Sequence, residues 1–271
     1  MKKIIIFSPN PFSLYSICVT ALLRRNSNVE IQAIVVRKLL NISRFFSEFR
    51  RDGNRLIKKI WAKAILKERA YSPKNYETII DYMNKENISI RKLGHFFKQH
   101  DIPVIECLDL NDSHVLDFLK KANPHIIVFT GGGLIRSNIL NLTDVLNCHI
   151  GILPGYRGMD VLEWAILDQR FDNVGLTVHL MDKGVDTGNI LKTKQIDITP
   201  YETVADIRNM FEPIMCREIV STCLEYLDGK RKPYSQRMVD GKQYFKMHPR
   251  LFSLVEQKLS VTQFLKKNDT S

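Results

Sequence analysis

Lys3-Ile-Ile-Ile-Phe7, Ser8-Pro-Asn-Pro-Phe12, Leu14-Tyr-Ser-Ile-Cys-Val-Thr-Ala-Leu-Leu-Arg-Arg25 and Ile31-Gln-Ala-Ile-Val-Val36 follow one another at the start of the chain. The first and last are short runs rich in Ile and Val, residue types suited to a pleated, buried surface. Between them a turn leads into a stretch of helix length. Strand, turn, helix and strand make the βαβ opening of a parallel sheet. Working outward, a strand over 102–106, a helix over 111–121 and a strand over 125–130 repeat the unit. Further strands are expected at 146–153, 174–181 and 190–198, with helices at 89–100, capped by Ser89, at 160–168 and at 202–227. After Leu227 come a basic turn at 229–233, a short hairpin or strand at 241–249 and a terminal helix at 250–266. The fold class is α/β: a Rossmann-like, mostly parallel sheet flanked by helices. No internal repeat or low-complexity segment is present.

Such sheets bind ligands beyond the carboxyl ends of their strands. Three segments fall there. Asn147-Cys-His-Ile-Gly-Ile-Leu-Pro-Gly-Tyr-Arg-Gly158 sets an amide and an imidazole two residues apart, and on a strand such residues share a face. Asn147 and His149 can therefore converge on one substrate atom, while Pro154 and Gly155 turn the chain away. Cys148 points to the opposite face and reads as packing. Met181-Asp-Lys-Gly-Val-Asp-Thr-Gly188 offers carboxylates in a glycine-punctuated loop. Gly131-Gly-Gly133 follows a strand directly, and its glycines either make a tight turn or let the backbone approach a flat ligand. It lacks the Gly-Lys-Ser/Thr and Gly-x-Gly-x-x-Gly patterns of phosphate loops.

Asn-x-His followed by Leu-Pro, then Asp-Thr-Gly, resembles the formyltransferases that draw a one-carbon unit from N10-formyltetrahydrofolate. Here these are Asn147, His149, Leu153-Pro154 and Asp186-Thr187-Gly188. The family includes methionyl-tRNA formyltransferases and sugar N-formyltransferases, and the likeness is firm over 129–190. It implies catalytic roles for Asn147, His149 and Asp186: an oxyanion-stabilising amide, an imidazole exchanging a proton with the attacking amine, and a carboxylate raising the histidine pKa. Asp182 is a nearby competitor for the carboxylate's role. The resemblance implies a donor site at Gly132, Gly133, Leu134, Arg136, Met181, Asp182 and Gly184, with the pteridine ring on backbone groups. It implies an acceptor site at Pro154, Tyr156, Arg157 and Gly158. No metal is expected, and His95, His100, His114, His125 and His248 show no ligand spacing. His179 reads as a core or sheet-face residue. Residues 1–205 are expected to form the catalytic domain, with a basic helical insertion at 38–70. Residues 206–271 would be C-terminal helices and a hairpin-like extension.

The composition, 44% hydrophobic and 25% charged, is that of an ordinary globular protein. Five scattered cysteines without a Cys-x-x-Cys pair suit free thiols in a reducing compartment. The opening apolar run is broken too early for a signal peptide, and no stretch reaches transmembrane length. A cytoplasmic protein is expected. The formal charge is +11, and residues 37–69 carry a net excess of eight positive charges. From Leu56 onward that segment has the three-four rhythm of an amphipathic helix. It reads as a solvated basic face, as a dock for an anionic nucleotide or RNA acceptor, or as a membrane-surface element.

The acceptor is expected by elimination. Initiator-tRNA formyltransferases carry a β-barrel RNA-binding domain behind the catalytic one, and the residues after Leu227 are too few for it. Glycinamide enzymes lack the long basic insertion, and formyltetrahydrofolate hydrolases carry an additional regulatory domain. Met159-Asp-Val-Leu-Glu-Trp164 departs from the small residues and proline of the tRNA enzymes. The remaining acceptor is the amine of a nucleotide-linked amino sugar, with the C-terminal segment matching the tail through which such enzymes form homodimers. A tRNA-directed enzyme, a hydrolase, and an RNA- or membrane-associated protein with a vestigial folate site are the alternatives.

Overall fold

The computed structural model describes residues 1–38, 76–88 and 93–269. Its elements begin with β1 (Lys2–Ser8), α1 (Leu14–Arg24), β2 (Val29–Arg37), α2 (Ile79–Lys85), α3 (Leu93–Gln99), β3 (Val104–Cys107), α4 (Ser113–Ala122) and β4 (Ile126–Phe129). They continue with α5 (Ser137–Leu140), β5 (Asp144–Ile150), β6 (Tyr156–Gly158), α6 (Val161–Leu167), β7 (Gly175–Leu180), β8 (Ile190–Gln195), α7 (Val204–Leu227), β9 (Lys242–Tyr244) and α8 (Pro249–Asp269). Seven strands form one sheet in the order β3-β2-β1-β4-β5-β7-β8. The first five are parallel, whereas β7 runs antiparallel to both β5 and β8. The basic segment falls outside the described residues apart from Arg37 and Lys38, as does Ser89, the expected cap of the helix over 89–100.

The run Ile4-Ile-Ile-Phe7 is fully buried because β1 lies inside the sheet, between β2 and β4, and is covered on both faces. Ile4 and Ile6 face the core beneath α1 and α7, while Ile5 and Phe7 face the one beneath α4. Alternate residues of a strand point to opposite faces, so a doubly covered strand reads as a continuous apolar run. Each such side chain contributes about 1.5–3 kcal/mol by burial. Ser13 caps α1 by accepting from the Ser16 N–H at 3.1 Å, and Thr203 caps α7 from the Asp206 N–H at 3.0 Å.

Strand order reverses between β1 and β4, the crevice where this architecture binds ligands. A buried hydroxyl chain ties its floor together. Ser8 Oγ lies 2.8 Å from Ser16 Oγ, which lies 2.7 Å from Thr130 Oγ1, and Thr130 donates to the Phe7 carbonyl at 2.7 Å.

Three expectations change. The strand over 146–153 ends at Ile150, because Gly151 takes φ 138° and the chain turns through a cis Leu153–Pro154 bond. Of the short hairpin or strand expected at 241–249 the structure has the strand, and its partner is distant: β9 pairs in parallel with β6, Tyr156 opposite Lys242 and Gly158 opposite Tyr244. The boundary expected at 205/206 falls inside α7, whose Ile207, Phe211 and Ile219 lie in the same core as Ile4 and Ile6.

Candidate active site

β5 carries Asn147 and His149 on one face, and antiparallel β7 sets His179 opposite Asn147 and Thr177 opposite His149. The loop after β7 returns Asp186 to the same place. His149 Nδ1 lies 3.4 Å from Asp186 Oδ2, and His179 Nε2 lies 3.6 Å from Asp186 Oδ1. Asp186 adopts φ +52°, the left-handed region, and its Oδ2 accepts from the Gly158 N–H at 2.9 Å. The amide, imidazole and carboxylate expected to act together are thus brought together.

The hydrogen bonds define the tautomers. His149 Nε2 lies 2.9 Å from the Tyr156 carbonyl, which can only accept, so Nε2 carries the proton. In the neutral ring the lone pair is then on Nδ1, the Asp186 side. His179 Nδ1 lies 3.0 Å from the Leu180 carbonyl and carries its proton for the same reason. His179 Nε2 therefore accepts from Asn147 Nδ2 at 3.2 Å. His179, only 1% exposed, is a core residue as expected, but it also orients Asn147, a role that the sequence did not reveal.

Burial pushes the His149 pKa below 6.5 and outweighs the upward pull of Asp186, with His179 also lowering it. Asp186 therefore acts in the expected direction without deciding the outcome. Burial works against ionising Asp186 as well. The His179 ring, the charge that His149 carries once protonated and the Gly158 N–H overcome it and bring the carboxyl to about 2. Cys148 is buried on the opposite face, and desolvation raises its thiol pKa strongly, which keeps it inert.

Beside this cluster opens a cleft of about 600 Å³ lined by Arg37, Asn111, Gly132, Gly133, Leu134, Arg136, Met181, Asp182 and Gly184, among others. All seven residues expected to hold the donor line it. Gly132 and Gly133 have φ of 126° and 116°, and a Cβ on Gly132 would stand 2.8 Å from Leu110 Cδ1. Only glycine gives this wall its shape. Asp182 shapes the loop, its Oδ1 accepting from the Gly184 N–H at 3.0 Å and from the Thr187 hydroxyl at 2.5 Å. Arg37 donates to the Gly132 carbonyl, a contact that its place among many basic residues did not single out.

The residues expected to hold the acceptor are dispersed. Gly158 serves Asp186, and the Tyr156 carbonyl serves His149. The Tyr156 ring stacks on Tyr244 at 4.8 Å, and its hydroxyl donates to Asp168 at 2.9 Å. It lines a second cleft of about 490 Å³ with Gly155, Arg170 and Lys242. The Pro154 carbonyl backs onto Gly241. Arg157 lines neither cleft and donates to the Gly241 carbonyl at 3.4 Å. Among the described residues no group of three or more His, Cys, Asp or Glu is placed to hold a metal, and no helix is long and apolar enough to cross a membrane.

The profile of the formyl transferase family matches residues 62–217. A methionyl-tRNA formyltransferase of Geobacter sulfurreducens is 29% identical over 136 residues, 49% of this chain and 43% of the relative. The chain spans less than half the length of the curated relatives it matches. Among solved structures, a sugar N-formyltransferase from a Shewanella species superposes with a TM-score of 0.58 at 13% identity, over 96% of this chain and 88% of that one. An N-formyltransferase from Helicobacter canadensis, in complex with folinic acid and dTDP-3-aminofucose, gives 0.54 at 12% identity, over 96% and 81%. Both share this fold.

Proposed function

The chain belongs to the formyl transferase family, and from that premise we propose that it moves a formyl group from N10-formyltetrahydrofolate to the primary amine of a nucleotide-linked amino sugar. The observation that carries the reading is the meeting of Asn147, His149 and Asp186 beside a glycine-walled cleft.

The cleft fits a flat folate ring. Its wall at Gly132 and Gly133 is bare backbone at positive φ, and Asp182 and Arg136 supply polar groups at its edge. Bound there, the donor supplies an activated formyl carbon. A new C–N bond forms to the amine, the bond to N10 breaks, and the amine's proton must move. Asn147 gives one N–H to His179 and has a second to stabilise charge on the formyl oxygen. Burial keeps His149 neutral, so its Nδ1 is ready to accept a proton. The imidazolium formed in this way faces the Tyr156 carbonyl and the Asp186 carboxylate, one at each ring nitrogen. The proton passes on to the departing N10.

The amino-sugar acceptor is supported by the likeness to sugar N-formyltransferases, which covers 96% of the chain and so includes its C-terminal segment. An aminoacyl-tRNA acceptor is the second reading, favoured by the identity to the Geobacter enzyme. Mass spectrometry of purified protein with N10-formyltetrahydrofolate and a panel of nucleotide-linked amino sugars, glycinamide ribonucleotide and charged initiator tRNA tests the choice. A formyl gain on an amino sugar, lost in His149→Ala, supports the proposal. Gain on the tRNA alone overturns the acceptor, and no gain on any of them overturns transfer to these amines.

A further inference from the structure

The segment that follows α7 crosses the candidate active site. Tyr234 and Ile190 exchange backbone hydrogen bonds of 2.8 and 2.9 Å, and Lys242 N donates to the Gly155 carbonyl at 3.2 Å. Tyr244 stacks on Tyr156, and its carbonyl accepts from the Met159 N–H at 3.1 Å. One side chain of this strap reaches the catalytic loop: Gln236 Nε2 donates to the Asp186 carbonyl at 3.1 Å and to the Gly188 carbonyl at 2.5 Å.

We propose that Gln236 is a positioning residue for Asp186, holding its loop so that the carboxylate stays at His149. The proposal rests on formyl transfer as the reaction of this site. Asp186 is in the left-handed region, a conformation that costs a residue with a Cβ some free energy, though less for Asp than for most, so contacts that hold it there matter. Apart from the Gly158 N–H, which holds the Asp186 carboxylate, further anchors of the loop are local. Asp182 binds Gly184 and Thr187 before and after Val185, while Gly188 lies against the Leu180 carbonyl so closely that a Cβ would stand 1.8 Å from it. None of these fixes the Asp186 carbonyl. Gln236 does so with a single nitrogen spanning the two carbonyls that flank Thr187. Its oxygen has no hydrogen-bond partner among the described residues, so the whole connection runs through the donor end. The strap and the catalytic loop are therefore joined at the residue whose direction matters most, because Asp186 reaches His149, His179 and the Gly158 N–H together.

The nature of the contact sets the test. Gln236→Glu keeps the shape but turns the donor into an acceptor facing two carbonyls. Gln236→Met keeps the length without any hydrogen bond. Gln236→Lys restores a donor that can serve both. The intact chain and the three variants are compared in kcat for formyl transfer, in affinity for 5-formyltetrahydrofolate, in melting temperature, and in amide exchange over residues 182–190. The expected result is a kcat lower by tenfold or more in the Glu and Met variants, with folate affinity unchanged and exchange of the loop faster, and a Lys variant within threefold of the original. Glu and Met variants that keep both kcat and loop protection overturn the proposal. So does a loss of kcat that follows melting temperature and folate affinity in all three variants alike. If the unaltered protein transfers formyl to no amine, the functional reading fails. Loop exchange then still decides the role of Gln236, unaltered protection in both Glu and Met variants counting against it.

Discussion

Asn147 and His179 face each other across β5 and β7, with the amide nitrogen 3.2 Å from the imidazole Nε2. His179 is committed on its other side to the Leu180 carbonyl, so it has one lone pair to offer and Asn147 takes it. The amide plane is thereby set before any substrate arrives, the form of preorganisation that makes an oxyanion donor effective.

Replacing His179 tests this pairing. Glutamine places its terminal amide near the position of Nε2 and can still accept from Asn147; asparagine ends near Nδ1 and cannot. We expect His179→Asn to lower kcat roughly 10- to 100-fold, because misplacing a reacting group by about 1 Å can cost on the order of a hundredfold. His179→Gln should stay within a few-fold. Steady-state kinetics of the two variants checks it, and equal losses in both would count against the pairing.

Asn147→Ala removes the proposed oxyanion donor itself. Loss of one such group costs roughly 100- to 1000-fold in kcat. The donor cleft does not include Asn147, so the affinity for a stable folate analogue should be unchanged. Titration calorimetry alongside kinetics separates the two quantities.

His149 titrates below 6.5 because burial outweighs the carboxylate at its side. Removing that carboxylate in Asp186→Asn takes away an upward influence, so the pKa should fall further. NMR of ring-labelled histidine follows it directly. A pKa that rises in the variant would show that Asp186 does not stabilise the imidazolium.

Asp186 is a depressed carboxyl, at about 2 against an ordinary 3.8. Its ionisation therefore stabilises the fold fully above pH 3.8, and the contribution is lost as pH falls towards 2. At about 1.4 kcal/mol per unit the contribution is on the order of 2 kcal/mol. Denaturant unfolding of the protein and of Asp186→Asn should show a gap of that size at pH 5 that closes on acidification. A gap constant down to pH 2 would place the effect elsewhere.

Gly132→Ala adds a Cβ at a φ of 126° and 2.8 Å from Leu110 Cδ1. Donor affinity should drop tenfold or more, while the His149–Asp186 geometry, set by other elements, persists. Folate binding measured beside the histidine NMR spectrum distinguishes a displaced cleft wall from general damage.

Much of the site was legible in the residues. The i, i+2 spacing of Asn147 and His149 needs only the geometry of a strand, and the glycines at 132 and 133 signal either a tight turn or a close backbone approach from their residue type alone. The βαβ periodicity gave the parallel half of the sheet for the same local reason. The antiparallel direction of β7, the register that sets His179 against Asn147, and the pairing of β9 with β6 depend on residues dozens of positions apart, and no local pattern encodes them. Gln236 is one polar residue in a polar stretch, distinguished only by where the strap runs.

By itself, then, the sequence determined the α/β class, the segments that meet at the strand ends and the common face of Asn147 and His149, because period-2 and period-3.6 patterns and glycine punctuation are local properties of the chain. Tertiary structure decided the rest. It lowers the His149 pKa through burial, makes a core histidine the partner of the Asn147 amide, and brings the C-terminal strap onto the loop that carries Asp186, since desolvation and long-range hydrogen bonds exist only once distant residues are packed together.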